Sequence, residues 1–421
     1  MYNLTMKLAE FKNQKIVLLG KSRAFSDEEF RGQLDVHGIT LVDEVQEGVK
    51  WIIEGRMMTP YEQNKVDELY ETGLYSFVDI EPFEKMLSQE IQESTLLMSL
   101  KLSGDKERLK VFLQNIHIQD TLFFKLLAMY RWNKEDFFEN DDNRDVTAAL
   151  ISRFYKNIER NHNVQYAPTG LFHLVRQTDD PRLLEAISQL EPLSLHPKLK
   201  AEIASHTATP KKVLQKFVKE KDDAVLEAMA YNPSLTTEIV KELLENQYLA
   251  KIIAQNITLN EELFSLLEVY GEDLAYNDSL DDTMQTELLE KNDEAIALAL
   301  AHNINLTCKH AKELLSLEND AIQEALFEHF SGDISLLQEG YKDEKNHLAL
   351  AKNKATPQEI LTALYDEGRG LAVVLEALAQ NENTPIAILY QLQLDARFER
   401  FVKTNEAFSQ YIQSQNIGWL L

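Results

Sequence analysis

Cysteine is almost absent from this chain of 421 residues, since Cys308 is the only one. A lone thiol excludes an intramolecular disulfide, a cysteine-based zinc site and an iron–sulfur cluster. Positive charge is also scarce, with 43 Lys and Arg against 69 Asp and Glu and a net charge of −26. A surface this acidic is a poor match for nucleic-acid phosphates, which proteins neutralise with Lys and Arg.

Long apolar stretches are missing as well. No run approaches the roughly 18 apolar residues that a membrane-spanning helix needs, and residues 1–7 lack the apolar segment of a signal peptide. The composition is otherwise that of a globular protein, 44% hydrophobic and 27% charged. We therefore expect a soluble, cytoplasmic protein of about three domain equivalents.

Residues 1–87 alternate strand and helix signals and predict a small α/β domain. Ser26, with Glu29 three residues later, predicts a capping box at one helix start, and Thr59-Pro60 predicts another start. The order βαββαβα is typical of a parallel sheet flanked by helices. The predicted strands are Lys15–Leu19, Ile39–Val42, Val49–Ile53 and Leu74–Val78.

This order, with Gly38 ending the first helix and Phe83 in the last one, resembles a BRCT domain. The resemblance implies a parallel four-stranded sheet that binds protein partners. BRCT domains that bind phosphoserine place Ser or Thr before the glycine after strand one, and Lys in the second helix. This chain has Leu19 at the first position, and Lys65 is the candidate for the second. The resemblance thus implies half of a phosphopeptide site, with Lys65 as its lysine. The alternative is that Lys65 is an ordinary solvated residue on a helix surface.

Gly20-Lys21-Ser22, directly after the first strand, matches the end of a phosphate-binding loop. Such a loop needs a second glycine five residues earlier, where the chain has Lys15. The intervening residues are the strand itself, so we expect no nucleotide site.

From about residue 200 the chain repeats a motif in which, in most copies, an alanine and an asparagine flank one variable position. The motif recurs after 21 to 28 residues, with a mean of 25. Eight copies predict an α-helical solenoid, in which each unit buries its apolar side only against its neighbours. The copies are Ala204-Ser205-His206, Ala230-Tyr231-Asn232, Ala254-Gln255-Asn256, Ala275-Tyr276-Asn277, Ala301-His302-Asn303, Phe327-Glu328-His329, Ala351-Lys352-Asn353 and Ala379-Gln380-Asn381.

Each unit is predicted to hold two helices. A Thr, Asn or Asp, often before Pro, follows the motif and is expected to cap the first helix. Thr356 and Glu359 predict a capping box, and a short acidic turn precedes the second helix. The other expected caps are Thr209, Thr236, Asn260, Asp281, Thr307 and Thr384.

The pattern A-x-N-x-x-T-P, followed by a leucine-bearing helix, resembles the leucine-rich repeat variant family over about residues 200–400. The resemblance implies a curved, all-helical superhelix. Residues 88–200 show helical spacing without a clear period and are predicted to be a helical cap or degenerate repeats. Residues 201–421 then form the solenoid, and residues 418–421 are expected to cover its last unit.

Ten histidines raise the question of metal or acid–base chemistry, but no such motif is present. His206 and His329 occupy the asparagine position, so we expect them to hydrogen bond between units. Cys308 is expected to be a buried, inert thiol. We predict no catalytic residue, no metal site and no cofactor.

Two functions from different classes remain open. One is a non-catalytic scaffold that binds protein partners, basic ones in particular, on the concave solenoid surface and on the BRCT-like domain. The other is an accessory protein of DNA repair or replication, either an adaptor or a helical-repeat DNA glycosylase, which needs a basic groove. Lys211 and Lys212 lie in the only dense basic cluster. They are either a nucleic-acid contact or a helix surface that balances nearby acids.

Overall fold

The computed structural model describes residues 6–133, 140–155, 168–190, 196–367 and 371–414. These residues are mostly helical, with one small parallel sheet near the N-terminus. The chain divides into two compact units, Met1–Val213 and Leu214–Leu421. Residues 418–421, which are expected to cover the last unit, lie outside the described residues.

The strands of the first unit confirm the predicted parallel sheet. They are β1 (Lys15–Leu19), β2 (Thr40–Val42), β3 (Val49–Glu54) and β4 (Ser76–Asp79). They lie in the order β2-β1-β3-β4, and every neighbouring pair is parallel. The fourth strand begins two residues after Leu74, because the Leu74 N–H donates to the Thr72 hydroxyl at the end of the preceding helix.

Alternate residues of β3 face opposite sides of the sheet. Ile52 packs against Val66 on one side. On the other side, Trp51 and Phe83 pack on the ring of Phe11, with centroid distances of 4.8 and 5.0 Å. Apolar layers therefore cover both faces of the sheet.

Three helices flank the sheet, namely α1 (Asp27–Val36), α2 (Pro60–Thr72) and α3 (Ile80–Gln89). Ser26 caps α1 as predicted, because its hydroxyl accepts from the Glu29 N–H at 3.3 Å. The Glu29 half of the predicted box is wrong, since that carboxylate pairs with Arg108 instead. At α2 a complete box joins Thr59 and Glu62.

The rest of the described first unit is helical. Its helices are α4 (Glu93–Ser103), α5 (Lys106–Gln114), α6 (Asp120–Met129), α7 (Asp141–Phe154), α8 (Pro168–Gln177), α9 (Pro181–Ser188) and α10 (Pro197–Ser205). Arg153 of α7 donates to the Asp120 carboxylate at 2.9 Å and lies over the Phe123 ring of α6. Helix α11 (Lys211–Glu220) contains the boundary between the two units.

The second unit consists of short helices in sequence. They are α12 (Asp223–Ala230), α13 (Thr237–Leu243), α14 (Gln247–Asn256), α15 (Glu261–Leu267), α16 (Gly271–Ala275), α17 (Asp282–Leu289), α18 (Glu294–Ala301), α19 (Cys308–Leu315), α20 (Asp320–His329), α21 (Ile334–Gly340), α22 (His347–Lys352), α23 (Gln358–Glu367), α24 (Ala372–Gln380), α25 (Ile386–Gln393), α26 (Glu399–Thr404) and α27 (Glu406–Ser414). Short 3₁₀ turns precede α16 and α22, at Glu268–Tyr270 and Glu344–Asn346.

The even-numbered helices from α12 to α26 form one row, in which each helix packs on the next even-numbered helix. Helices α13, α17, α19 and α23 form part of a second layer and pack on the even-numbered helices that follow them. Alanines near the ends of the row helices, such as Ala230, Ala275 and Ala301, are fully buried. Their small side chains let neighbouring helices of the row approach closely.

The predicted acidic turns start several helices of the row. Lys221, Asn292 and Glu318 adopt φ values of 51° to 54°, the left-handed conformation that reverses the chain. The Asp or Asn that follows each of them caps the next helix by accepting from two backbone N–H groups. These acidic turns therefore have a structural role.

Candidate functional site

Buried asparagines connect successive helix pairs of the second unit. The side-chain amide of Asn277 donates to the carbonyl oxygens of Ala254 and Ile257, at 2.7 and 2.8 Å. Its Oδ1 accepts from the Ser279 N–H, so the buried amide is fully satisfied. Asn303, Asn353, Asn381 and Asn405 likewise donate to two carbonyls of the preceding pair. We call these five residues the asparagine ladder.

Threonines of the A-x-N-x-x-T-P pattern stabilise the same turns. Thr209, Thr356 and Thr384 are buried, and each hydroxyl donates to the carbonyl six residues earlier at 2.6 to 2.7 Å. The predicted capping role is wrong at these three positions, because the hydroxyl points back to the preceding helix. Of the other expected caps, Asn260 and Asp281 do cap their helices, whereas the prediction is wrong for Thr236 and Thr307, whose side chains accept no capping hydrogen bond.

Of the two histidines at the asparagine position, His329 differs from the prediction of a hydrogen bond between units, as far as the described residues show. His206 Nδ1 accepts from the Ala208 N–H at 3.1 Å, which reproduces the local bond of a ladder Oδ1. The His329 ring packs on His302 of the preceding pair, with 4.9 Å between centroids. Burial lowers the pKa of His329, and the nearby His302 lowers it further.

From Ala230 onward, the variable residue of each motif lies between a buried residue and the asparagine position, and it points away from the core. Consecutive members follow one another across the row: the Tyr276 and His302 rings lie 5.7 Å apart, and Lys352 pairs with Glu328 at 2.9 Å. We call this surface the ridge. It consists of Tyr231, Gln255, Tyr276, His302, Glu328, Lys352 and Gln380.

Acidic and aromatic side chains are concentrated at the start of the ridge. Tyr231 and Tyr276 are 50% and 41% exposed, and each follows a glutamate of its own helix by four residues. The first of these, Glu227, accepts a 2.7 Å hydrogen bond from the Tyr248 hydroxyl. This part of the ridge is the strongest candidate for a binding surface.

His310 is a fully buried histidine surrounded by polar groups of α17 and α19. Its Nε2 lies 2.9 Å from the Thr286 hydroxyl, and its Nδ1 lies 2.8 Å from the Thr307 hydroxyl and 3.2 Å from Gln285 Oε1. Burial lowers its pKa, and the Asp282 carboxylate offsets part of this effect. The geometry connects two helices and gives a ligand no access.

Cys308 is the first residue of α19 and is half-buried, so the expected buried thiol is only partly shielded. Within the described ranges, no group of three or more His, Cys, Asp or Glu side chains is placed to hold a metal ion. In the same ranges, every helix is too short or too polar to cross a membrane.

The structure places the residues of the half-site that the BRCT resemblance implies as follows. Leu19 is buried, and the Gly20 N–H donates to the Glu62 carboxylate at 3.0 Å. Gly20 has a φ of +87°, and a Cβ there would meet the Arg56 carbonyl oxygen at 2.7 Å. Lys65 lies over the Tyr61 ring at 5.8 Å. The Glu62 carboxylate thus already accepts the hydrogen bond of the backbone N–H that follows β1.

Gly20-Lys21-Ser22 forms no phosphate cradle. Lys21 exchanges two backbone hydrogen bonds with Arg56, which form an isolated antiparallel bridge. The Ser22 hydroxyl donates to the buried Glu84 carboxylate at 2.7 Å. These backbone and side-chain groups are therefore engaged within the chain itself.

Lys211 and Lys212 begin α11 and are both exposed. Lys212 pairs with Glu185 of α9. Further along the helix, Lys216 lies 3.7 Å from Glu220. Acids therefore neutralise part of the basic cluster.

The ladder residue Asn405 and the exposed Tyr248 were not predicted from sequence. Asn405 comes 24 residues after Asn381, so the period itself could have revealed it, but the preceding Lys403-Thr404 lacks the small residue. Tyr248 lies outside the motif, and only the packing of α14 on α12 brings it to Glu227. Comparison with known proteins found no matching family model, no matching curated protein and no matching solved structure.

Proposed function

We propose that the chain is a non-catalytic scaffold, in which a BRCT-like module precedes a helical-repeat solenoid of about 25 residues per repeat. The observation that carries the proposal is the asparagine ladder. The same kind of paired bond recurs at residues 24 to 28 apart on either side of His329, from Asn277 to Asn303 and from Asn353 to Asn381 and on to Asn405. Recurring inter-unit bonds are what a stack of similar units requires.

A solenoid stacks equivalent surface residues of successive units into an extended surface, and such surfaces suit protein partners. The ridge supplies such a series, and its exposed tyrosines are typical of protein interfaces. The net charge of −26 favours basic partners, because opposite charge accelerates association.

Co-purification tests the scaffold. The tagged full chain is isolated from its native cells at low and at roughly physiological salt, and the bound proteins are identified. We expect a reproducible set of basic proteins whose yield falls with salt, because salt screens surface charge. Recovery of no protein above background at either salt would reject the scaffold.

The nucleic-acid alternative lacks a supporting observation. Lys212 and Lys216 both lie beside glutamates, which compete with phosphates for their charge.

A further inference from the structure

Three tyrosines on neighbouring helices of the row expose a large part of their rings. Tyr231, Tyr248 and Tyr276 are 50%, 57% and 41% exposed. Tyrosine is enriched where proteins bind one another, because its ring gives contact area at a small entropic cost. The exposed rings at α12, the adjacent α14 and the C-terminal end of α16 therefore favour this part of the ridge as a surface that contacts another protein.

A carboxylate accompanies the rings at the first position. Glu227 lies one turn before Tyr231 on the same helix face and accepts from the Tyr248 hydroxyl. An anion beside two aromatic rings matches a lysine or arginine side chain, since the carboxylate pairs with its charge and the ring faces attract the cation.

The second position repeats the arrangement two row helices later. Glu272 lies four residues before Tyr276, whose ring in turn lies 5.7 Å from that of His302. Glu272 is exposed and forms no ion pair with any residue that the structure describes. Two cations near this position are already engaged, because Lys251 lies 3.8 Å from Asp273 and Lys291 pairs with Glu268 at 3.1 Å.

The later part of the ridge is different. Lys352 pairs with Glu328 at 2.9 Å, and Lys354 pairs with Glu382 at 3.0 Å. These pairs already satisfy the charges there. The complementarity to a cation is therefore confined to the segment from Tyr231 to His302.

The distance between the two positions sets the form of the ligand. Packed helices lie about 8–10 Å apart, so two steps along the row separate the positions by roughly 16–20 Å. An extended chain advances about 3.3 Å per residue. Two basic side chains about five or six residues apart would therefore reach both positions.

We propose that the ridge from Tyr231 to His302 binds an extended segment of a partner protein that carries two Lys or Arg residues about six positions apart. One of them binds at Glu227, Tyr231 and Tyr248, and the other binds at Glu272 and Tyr276. This proposal rests on the proposed scaffold function and specifies its partner.

Fluorescence anisotropy with the full chain tests the proposal. The probes are labelled Gly-Ser peptides with two arginines spaced about two, six or ten residues apart, and matching peptides in which citrulline replaces arginine. We expect the six-residue spacing to bind most tightly and citrulline to abolish the preference. Equal binding of all probes would overturn the proposal.

Substitutions locate the binding. Tyr276→Ala should weaken the best probe about threefold to fivefold, and Tyr231→Ala with Tyr276→Ala should weaken it about tenfold or more. Glu272→Gln, which keeps the shape of the side chain, should also weaken it. Matched controls are Tyr61→Ala, at an exposed ring of the first unit, and Glu287→Gln, on α17 of the second layer. Equal affinity of the ridge variants and the wild-type chain would overturn the proposal, as would an equal loss in the controls.

The same variants distinguish a failure of the ridge proposal from a failure of the proposed scaffold function. If the double tyrosine variant co-purifies with the same proteins as the wild-type chain, the scaffold stands and the ridge proposal fails. If the wild-type chain retains no protein, the scaffold fails.

Discussion

Asn381 shows how much one buried side chain does in this molecule. Its amide donates to the carbonyls of Ala351 and Asn353 at 2.9 Å, and its Oδ1 accepts from the Asn383 N–H at 2.8 Å. All three bonds hold backbone groups at a site that is closed to solvent. A buried polar group that loses its partner costs about 1–3 kcal/mol.

Asn381→Ala should therefore lower the free energy of unfolding by about 3 kcal/mol or more. Urea titration followed by circular dichroism measures the loss. Gln380→Ala, at the neighbouring exposed position, is the matched control and should change stability by less than about 0.5 kcal/mol. Equal losses in the two variants would contradict a structural role for the ladder.

His329 makes stability depend on pH. Its pKa lies below the ordinary value, so the folded protein resists a proton that the unfolded chain accepts below about pH 6.5. Its stabilisation is complete above that pH and is lost as the pH falls towards the pKa of the folded state. The wild-type chain should consequently melt at a lower temperature at about pH 5.5 than at about pH 7.5.

His329→Asn should reduce this difference and raise the melting temperature at about pH 5.5. Asparagine does not titrate, and at this position it can donate to the preceding helix pair like the ladder residues. His117→Asn in the first unit is the control and should keep the full difference. An unchanged pH dependence in His329→Asn would contradict the assignment.

At the scale of elements, the helix starts explain what the sequence could predict. Ser26, Asn260 and Asp281 cap as expected, because their short polar side chains are next to free N–H groups in any helix start. The threonines before proline failed as caps, because burial against the preceding helix directs their hydroxyls to a carbonyl. Whether a threonine hydroxyl caps its helix or donates to the preceding one depends on packing between helices. The spacing of residues in the sequence does not reveal that packing.

Asp222 provides a test at this scale. It accepts from the N–H groups of Ala224 and Val225 at the start of α12. Asp222→Ala should destabilise the chain by about 1 kcal/mol, as measured by urea unfolding. The adjacent, exposed Asp223→Ala removes the same charge without removing a cap and should cost about 0.3 kcal/mol. A larger loss at Asp223 would refute the capping role.

At the scale of the whole molecule, the repeat period predicted the helical character, and the alternation of strand and helix signals in residues 1–87 predicted the parallel sheet. The ridge could be predicted only in part. The motif gives the spacing of its members, whereas the contact of Tyr248 with Glu227 depends on how α14 packs on α12. Contacts between side chains of different helices arise from tertiary packing, so a local sequence pattern does not predict them.

A fragment that begins at Lys200 should fold without the sheet. Each of its units buries apolar surface against the next, so we expect a mainly helical circular dichroism spectrum and one shared thermal transition. The full chain is the reference. A sheet-rich spectrum, or a compact globular envelope in solution scattering, would contradict a repeat architecture.

Charge reversal of the basic cluster addresses the DNA alternative. Lys211→Glu with Lys212→Glu should leave DNA retention in a filter-binding assay unchanged and near background, because the acidic chain repels phosphates. Exposed Lys241→Glu on α13 is the control for added negative charge. Strong DNA retention by the wild-type chain that is lost only in the double variant would support the DNA alternative.

The ladder is interrupted at one position. Asn303 connects its repeat to the preceding one, and Asn353 connects the next repeat to Phe327. Among the described residues, however, His329 supplies no equivalent bond to the repeat of Asn303. Polar links there include the exposed bond from Ser331 to the Ile304 carbonyl. Under mechanical force or on heating, the second compact unit should therefore begin to unfold at this position. The segment from Asn353 to Asn405 should separate from the preceding repeats while it remains folded.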